Sequence, residues 1–257
     1  MSCLSCNFLG ITIHALTIKS IQRHIEVEIK DNNRSIIANH NLHSLYIYHK
    51  SLKMREFYSK SKYTHIDGMS LVFLGKLLGA NIERKNRITY IDWIYPLMQE
   101  AAEKNYRVLF LGSKPGIAAK AASILKIKID SLELETMHGY FDPTPDCEQN
   151  KQVLQRIKEY KPHILMVGMG MPRQEYWIFD NLDNIEANII LTAGACMDLV
   201  AGEIATPPRW MGRIGLDWFY RLLTEPKRVW KRYLIEPWFV LRLFCREFFR
   251  NWCRTGQ

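Results

Sequence analysis

The sequence predicts an α/β fold, a mostly parallel sheet covered by helices, on three observations. Strand-like and helix-like segments alternate along most of the chain, the pattern of successive βα units. Two apolar runs, Arg107-Val108-Leu109-Phe110-Leu111 and Ile164-Leu165-Met166-Val167, stop at glycines and lead into helix-like stretches, as buried parallel strands do. A chain of 257 residues also buries enough surface for one generous domain, or one domain with an appendage, without disulfide or metal staples.

In order, Gly10 to Ile18 reads as an opening strand and turn, and Ser20 to Lys30 as a polar helix with apolar residues at Ile21, Ile25 and Val27. Ser35-Ile36-Ile37-Ala38 is a short strand ending in Asn39-His40-Asn41, and Leu42 to Lys53 reads as one helix. Tyr63 to Ile66 is a brief strand with Asp67-Gly68-Met69-Ser70 as its exit loop, followed by an apolar helix from Leu71 to Leu78. Asp92 to Lys104 is amphipathic and helical. Arg107 to Leu111, the loop Gly112-Ser113-Lys114-Pro115-Gly116 and the Ala-rich Ile117 to Leu125 form the plainest strand, loop and helix unit. Leu132 to Thr136 is the next strand, with His138-Gly139-Tyr140-Phe141 at its end, and Asp146 to Tyr160 a charged amphipathic helix. The strand from Ile164 ends at Gly168-Met169-Gly170-Met171-Pro172, after which Arg173-Gln174-Glu175 opens a helix; Ala187 to Thr192 is a last strand, tipped by Ala193-Gly194-Ala195. With no internal repeat or low-complexity linker, Pro207-Pro208 is the candidate boundary between a domain over residues 1–205 and an appendage over 206–257.

The net charge of +9 suggests an acidic partner. Residues 205–257 carry 11 Lys and Arg against 4 Asp and Glu, and five of the seven tryptophans, so the excess is concentrated in the last fifth of the chain. Six scattered cysteines without a scaffold spacing suit a reducing cytoplasm. Cys3-x-x-Cys6 has no second Cys or His pair to complete a zinc site. The uncharged first eighteen residues lack a basic start and an unbroken apolar core, and no run elsewhere approaches the ~18 apolar residues of a membrane span. The expected protein is therefore not integral to a membrane.

Candidate site residues cluster where strands end, the ligand-binding edge of open α/β sheets. The loop from Gly112 through Ser113 and Pro115 to Gly116 is a phosphate cradle or an ordinary βα turn. It is neither a Walker A loop nor a G-x-G-x-x-G fingerprint, and Gly168-x-Gly170 is followed by Pro172 instead of a third glycine. Asp67 is either a helix cap or a catalytic carboxylate, and Asn39 and Asn41 are equally ambiguous. Gln174 and Glu175 suit sugar hydroxyls or simply start a helix, and Arg173 suits a phosphate. His138, beside Gly139, suits a uracil, a phosphate or a structural role. No Asp-x-Asp occurs anywhere, so phosphate neutralisation falls to Arg, Lys, backbone N–H groups and helix ends.

The last segment runs from Gly215-Leu216-Asp217-Trp218-Phe219-Tyr220-Arg221 through Lys227-Arg228-Val229-Trp230-Lys231-Arg232-Tyr233 to Trp252. Its mixture of Trp, Tyr and cations reads as helices lying on an anionic bilayer surface. Helices docked on the main domain, or an aromatic and basic nucleic-acid surface, are the other two readings.

Together, Asp67-Gly68, Gly112 to Gly116, His138 to Phe141, Gly168 to Trp177, Ala193-Gly194-Ala195, Pro207-Pro-Arg-Trp210, Trp218 to Leu222 and Glu225-Pro226 resemble the bacterial WecG/TagA/CpsF glycosyltransferase family, in consistent order from about Gly10 to Tyr233. The resemblance implies a Rossmann-like catalytic domain and an enzyme peripheral on the cytoplasmic face of the plasma membrane. Such an enzyme moves N-acetylmannosamine or its uronic acid from a UDP donor to undecaprenyl-diphosphate-linked N-acetylglucosamine, with inversion and with neither metal nor other cofactor. By that resemblance Asp67 is the general base, Gln174 shares its pocket, and Arg221, Arg228 and Lys231 are cations that an appendage brings to the diphosphate and the membrane. Nucleic acid is not an expected partner, and a homo-oligomer stays open. Two departures stand out: the family's Thr-x-Asn is Asn39-His40-Asn41 here, and its Arg-x-Thr-Gly-Thr-Asp is Arg87-Ile88-Thr89-Tyr90-Ile91-Asp92. They bear on the sugar end of the pocket, and transfer of glucose or another hexose in capsule synthesis is the alternative within enzymes; a nonenzymatic accessory subunit that brings a partner transferase to the membrane through the basic tail is the alternative from another class.

Overall fold

A computed structural model of the chain describes residues 4–255; Cys3 of the Cys3-x-x-Cys6 pair lies outside them. A hairpin of β1 (Ser5–Phe8) and β2 (Ile11–His14) opens the chain. The sequence reading of one strand from Gly10 missed β1, which stands apart from the main sheet. Helix α1 (Ile18–Lys30) starts at Thr17, whose hydroxyl accepts from the Ser20 N–H at 3.2 Å in a reciprocal capping box. Strand β3 (Ser35–His40) is followed by α2 (Leu42–Lys50) and α3 (Leu52–Lys60), then β4 (Ser61–Ile66) and α4 (Met69–Leu77). The single helix expected from Leu42 to Lys53 is thus two. Ser51 is extended and accepts from the Met54 N–H, ending α2 and capping α3 at once.

Helix α5 (Tyr90–Glu103) leads to β5 (Val108–Gly112), α6 (Ile117–Lys128), β6 (Leu134–Met137), α7 (Glu148–Tyr160), β7 (Ile164–Gly168), α8 (Arg173–Asn181), β8 (Ile189–Thr192) and α9 (Cys196–Val200). Strands β3 to β8 form one parallel sheet in the order β4-β3-β8-β7-β5-β6. Their pleat divides the core. Val108, Phe110, Ile164, Met166 and Leu191 face the side covered by α1, α5, α6 and α9, whereas Leu109, Leu111, Leu165, Val167 and Ile190 face α3, α7 and α8. Being buried on both faces is what makes β7 read as an unbroken apolar run.

Four helices follow: α10 (Arg209–Ile214), α11 (Asp217–Thr224), α12 (Pro226–Leu234) and α13 (Glu236–Thr255). They fold back on the first half of the sheet. Val240 joins a core cluster with the hairpin and α4, the Glu247 carboxylate accepts the Leu9 N–H at 3.0 Å, and His43 on α2 pairs with Glu236 at 2.8 Å. Among the described residues, no helix is long and apolar enough to cross a membrane.

Candidate active site

The carboxyl ends of β3, β4, β7 and β8 open into one cleft of about 480 Å³, which α11, α12 and the start of α13 wall on the far side. Asn41, Asp67, Gly170 and Gln174 come from the sheet, and Arg221, Arg228 and Lys231 from the helices. Residues more than a hundred positions apart are thereby gathered because parallel strands point the same end at the same space.

Asp67 ends β4 and its N–H donates to the His40 carbonyl at 2.8 Å. The helix that follows is capped by Gly68 without any side-chain bond, so the capping alternative for Asp67 is not the one adopted. Its half-buried carboxylate makes no hydrogen bond or ion pair with the described residues and faces the cleft. Asn41 does both things its sequence position allows: Oδ1 accepts from the Ser44 N–H at 3.0 Å, capping α2, and the residue lines the cleft. Asn39 does not reach the cleft. It is buried, with its carbonyl accepting from the Tyr58 hydroxyl at 2.6 Å.

Gln174 is fixed at both ends of its amide. Nε2 donates to Glu175 Oε1 at 2.7 Å, and Oε1 accepts the Gly194 N–H at 3.1 Å. Glu175 lies beneath it, fully buried, with Oε2 unpartnered. Desolvation pushes the Glu175 carboxyl up to about 7, against the bond from Gln174. Burial also holds His40 and His65, on the strands flanking the Asp67 loop, down to about 3 and about 4, so both are neutral imidazoles at physiological pH. Arg173 donates to the Phe141 carbonyl at 2.6 Å and ties two loops together, away from the cleft; Pro172, joined to Met171 by a cis bond, precedes it.

The glycine-loop residues divide. Pro115, Gly116 and His138 line a second pocket of about 540 Å³ over β5 and β6. Ser113 turns inward, its hydroxyl donating to Asp198 at 2.8 Å and its carbonyl accepting from Gly139 at 3.0 Å. Gly112 and Gly168 are demanded by packing: a Cβ on Gly112 would sit 2.3 Å from the Gly168 carbonyl oxygen, and one on Gly168 2.4 Å from the Phe110 ring.

Arg87, Asp217 and Arg232 line the cleft without being site residues in the sequence reading, whereas Tyr90 is one of the departures from the family pattern. Arg87 bridges Asp217 on α11 and Asp92 on α5, each at 3.2 Å. Burial raises the Asp217 carboxyl while Arg87 and Arg221 pull it down. Tyr90 stacks on Trp93 at 5.3 Å and lines the cleft. Arg232, one residue past Lys231, lines the same wall. For Arg232 the signal was helical spacing from Arg228, which puts the two on one face.

The sequence model of the Glycosyl transferase WecG/TagA/CpsF family matches residues 6–254 of the chain. The chain is 28% identical over 181 residues (70% of this chain, 67% of the relative) to the N-acetylglucosaminyldiphosphoundecaprenol N-acetyl-beta-D-mannosaminyltransferase of Bacillus spizizenii. It is 26% identical over 200 residues (77% of this chain, 75% of the relative) to the protein of the same name in Bacillus subtilis. A Staphylococcus aureus protein of that name matches at 26% identity over 174 residues, 68% of this chain and 66% of the relative.

Proposed function

Since the chain belongs to the WecG/TagA/CpsF glycosyltransferase family and is a glycosyltransferase, we propose that it moves N-acetylmannosamine, or its uronic acid, from a UDP donor to N-acetylglucosamine linked to undecaprenyl diphosphate. The acceptor follows the names of the relatives. The observation that carries the reading is the cleft itself, where an unpartnered carboxylate on a strand end faces a wall of arginine and lysine on the C-terminal helices.

In this reading Asp67 takes the proton from the acceptor hydroxyl as its oxygen attacks the anomeric carbon. The bond from that carbon to the diphosphate oxygen breaks on the opposite side, inverting the configuration, and the departing UDP keeps the bonding electrons. Arg221, Arg228 and Lys231 offset the charge that develops there. Gln174, held rigidly by Glu175 and Gly194, has one amide hydrogen and one oxygen lone pair left for the substrate. The pocket with Pro115, Gly116 and His138 takes the nucleoside end of the donor. This scheme needs no metal, because arginine and lysine offset the charge on the diphosphate.

The enzyme works from the inner face of the plasma membrane, its C-terminal helices lying on the anionic surface. Trp210, Trp218, Trp230, Trp238 and Trp252 are all exposed there beside lysines and arginines. One observation favours a second donor: Tyr90, buried and stacked on Trp93, lines the cleft where the family pattern has a glycine, which suits another UDP-hexose.

The test is product formation by full-length protein from a synthetic lipid-diphosphate N-acetylglucosamine and a panel of UDP-sugars, with and without EDTA. Turnover with UDP-N-acetylmannosamine that survives chelation is expected. Turnover with a different UDP-hexose alone would move the specificity to that sugar, and loss on chelation that Mg²⁺ restores would overturn the metal-free scheme.

A further inference from the structure

The strand order separates two ends of the site. The pocket with Pro115, Gly116 and His138 lies over β5 and β6, whereas Asn41 and Asp67 follow β3 and β4 at the other end of the order β4-β3-β8-β7-β5-β6. In the transferase reading, on which this inference rests, the donor's nucleoside occupies the first end and the acceptor meets Asp67 at the second. A polar group over β3 and β4 therefore faces the acceptor.

His43 is such a group. His40 of β3 is level with Ile66 of β4, so Asn41 and Asp67 are the first residues beyond each strand. Asn41 caps α2 by accepting from the Ser44 N–H at 3.0 Å, and His43 sits in the turn that this cap fixes. Its Nδ1 meets Oε2 of Glu236, the first residue of α13, at 2.8 Å, and both residues line the cleft. Among the described residues, His43 is the one histidine that does so. A carboxylate oxygen only accepts, so the proton in this bond belongs to Nδ1. In the tautomer held that way Nε2 carries a lone pair, and it makes no hydrogen bond with the described residues and is not sealed from solvent.

Docking of α13 does not need the pair. One turn further along, Phe239 packs edge-on against Tyr46 at 5.3 Å, and Val240 is buried with the hairpin and α4. What the pair adds is an acceptor atom. Arg221, Arg228 and Lys231, which line the opposite wall, can only donate, whereas every sugar hydroxyl has a hydrogen to give. We propose that His43 Nε2 accepts a hydrogen bond from the acceptor sugar, from a hydroxyl other than the one Asp67 deprotonates, and that Glu236 fixes the ring for that bond. His43 is then a specificity residue for the acceptor and Glu236 the positioning residue behind it, so the acceptor site is complete only with α13 docked on α2.

Full-length protein is assayed for transfer with each substrate varied in turn, beside its melting temperature. H43N keeps a donor near the Nδ1 position and loses the Nε2 position; H43Q reaches the Nε2 position and gives up the bond to Glu236. H43N is expected to lower kcat/KM for the acceptor about 3–10-fold, the worth of one hydrogen bond, with KM for the UDP-sugar and the melting temperature close to wild type. H43Q should recover most of that loss. E236A should lower the same parameter, and E236Q, whose amide oxygen still accepts from Nδ1, should restore it. The opposite order, with H43Q impaired and H43N normal, would show that the pair only ties two helices together and would overturn the proposal. Equal losses for donor and acceptor would overturn it too.

Acceptors lacking one hydroxyl each identify the partner. One of them should cost wild type about 3–10-fold and cost H43N nothing further. If every deoxy acceptor affects the two proteins alike, Nε2 meets no hydroxyl and the proposal is wrong. An active wild type matched by H43N would sink this assignment alone, whereas a folded wild type that turns over no UDP-sugar with any lipid-linked acceptor would sink the transferase reading and this assignment with it.

Discussion

Trp93 and Trp177, in the sheet domain, are 0% and 1% exposed, whereas the five tryptophans of the C-terminal helices range from 38% at Trp218 to 71% at Trp238. The same side chain is core in one region and surface in the other. Trp177 is enclosed by α7 and α8 and donates its ring N–H to Asn150 at 2.7 Å. The C-terminal helices bury little of their own apolar surface: Met211, Val229 and Val240 are their buried hydrophobics among the described residues. Of the 20 large hydrophobics exposed in the described chain, 12 lie from Trp210 onward. Exposed apolar surface on that scale marks an interaction face. The sheet domain's sequence answers to its own interior, and the helices' sequence to something outside the chain.

The comparison breaks most completely by removing one side of it. A chain ending at Pro207 should no longer sediment with anionic vesicles and should lose most transferase activity. Vesicle binding by the truncated chain, with helical content by circular dichroism confirming a folded sheet domain, would refute the membrane role of the helices. The next largest effect comes from the other side. Asp67→Asn should lower turnover by about 10²–10⁴ if Asp67 is the base, with vesicle binding and UDP affinity nearly intact; wild-type rates in D67N would end that assignment.

The two regions also differed in how far they could be read. Strands β5 and β7 were the most legible because burial on both faces writes an apolar run with a glycine stop, at Val108–Gly112 and Ile164–Gly168. What failed were local events with a weak pattern: the hairpin strand Ser5–Phe8, and the break at Ser51, where a cap overrides an otherwise continuous helix. Among the residues that line the cleft, Asp67 and Asn41 could be picked out because each directly follows a strand, and Gln174 because it lies in the first turn of the helix after β7. Glu175 and Arg173 lie in that turn too, yet helix geometry directs them inward and sideways. Arg87 and Arg232 were not singled out, since only the docking of α11 and α12 over the strand ends puts them in the site, and long-range docking leaves no periodic trace in sequence.

A matched pair of substitutions sharpens the comparison. Trp177→Ala should cost about 3–5 kcal/mol, the range for truncating a large buried aromatic, and should leave vesicle affinity of the folded fraction unchanged. Trp238→Ala should stay within ~0.5 kcal/mol of wild type in stability and weaken vesicle binding measurably. Urea unfolding and vesicle co-sedimentation of both variants check this. A Trp238→Ala protein as destabilised as Trp177→Ala would show that the helices are packed like the core.

A further prediction concerns Glu175, the carboxyl buried against Gln174 in the sheet domain. Glu175 is held up at about 7 by desolvation, against an ordinary glutamate value of 4.5 in the unfolded chain. Because the folded state favours the neutral acid, the unfolded state releases its proton first as pH rises. Wild-type stability is therefore undiminished by this group below about pH 4.5, falls between about 4.5 and 7, and carries the full penalty above 7. That penalty is about 3 kcal/mol, from ~1.4 kcal/mol per pH unit of difference. Glu175→Gln keeps the acceptor for Gln174 Nε2 and cannot ionise. Other groups titrate in the same range, His40 and His65 among them, but they are common to both proteins and cancel in the difference. The stability of E175Q relative to wild type should thus increase by about 3 kcal/mol between pH 4.5 and pH 8, measured by urea unfolding at each pH. A difference independent of pH would mean that Glu175 ionises normally in the folded protein. The anchoring of Gln174 would then depend on a buried carboxylate whose charge is stabilised by groups around it, and E175Q would lose activity at every pH instead of preserving it.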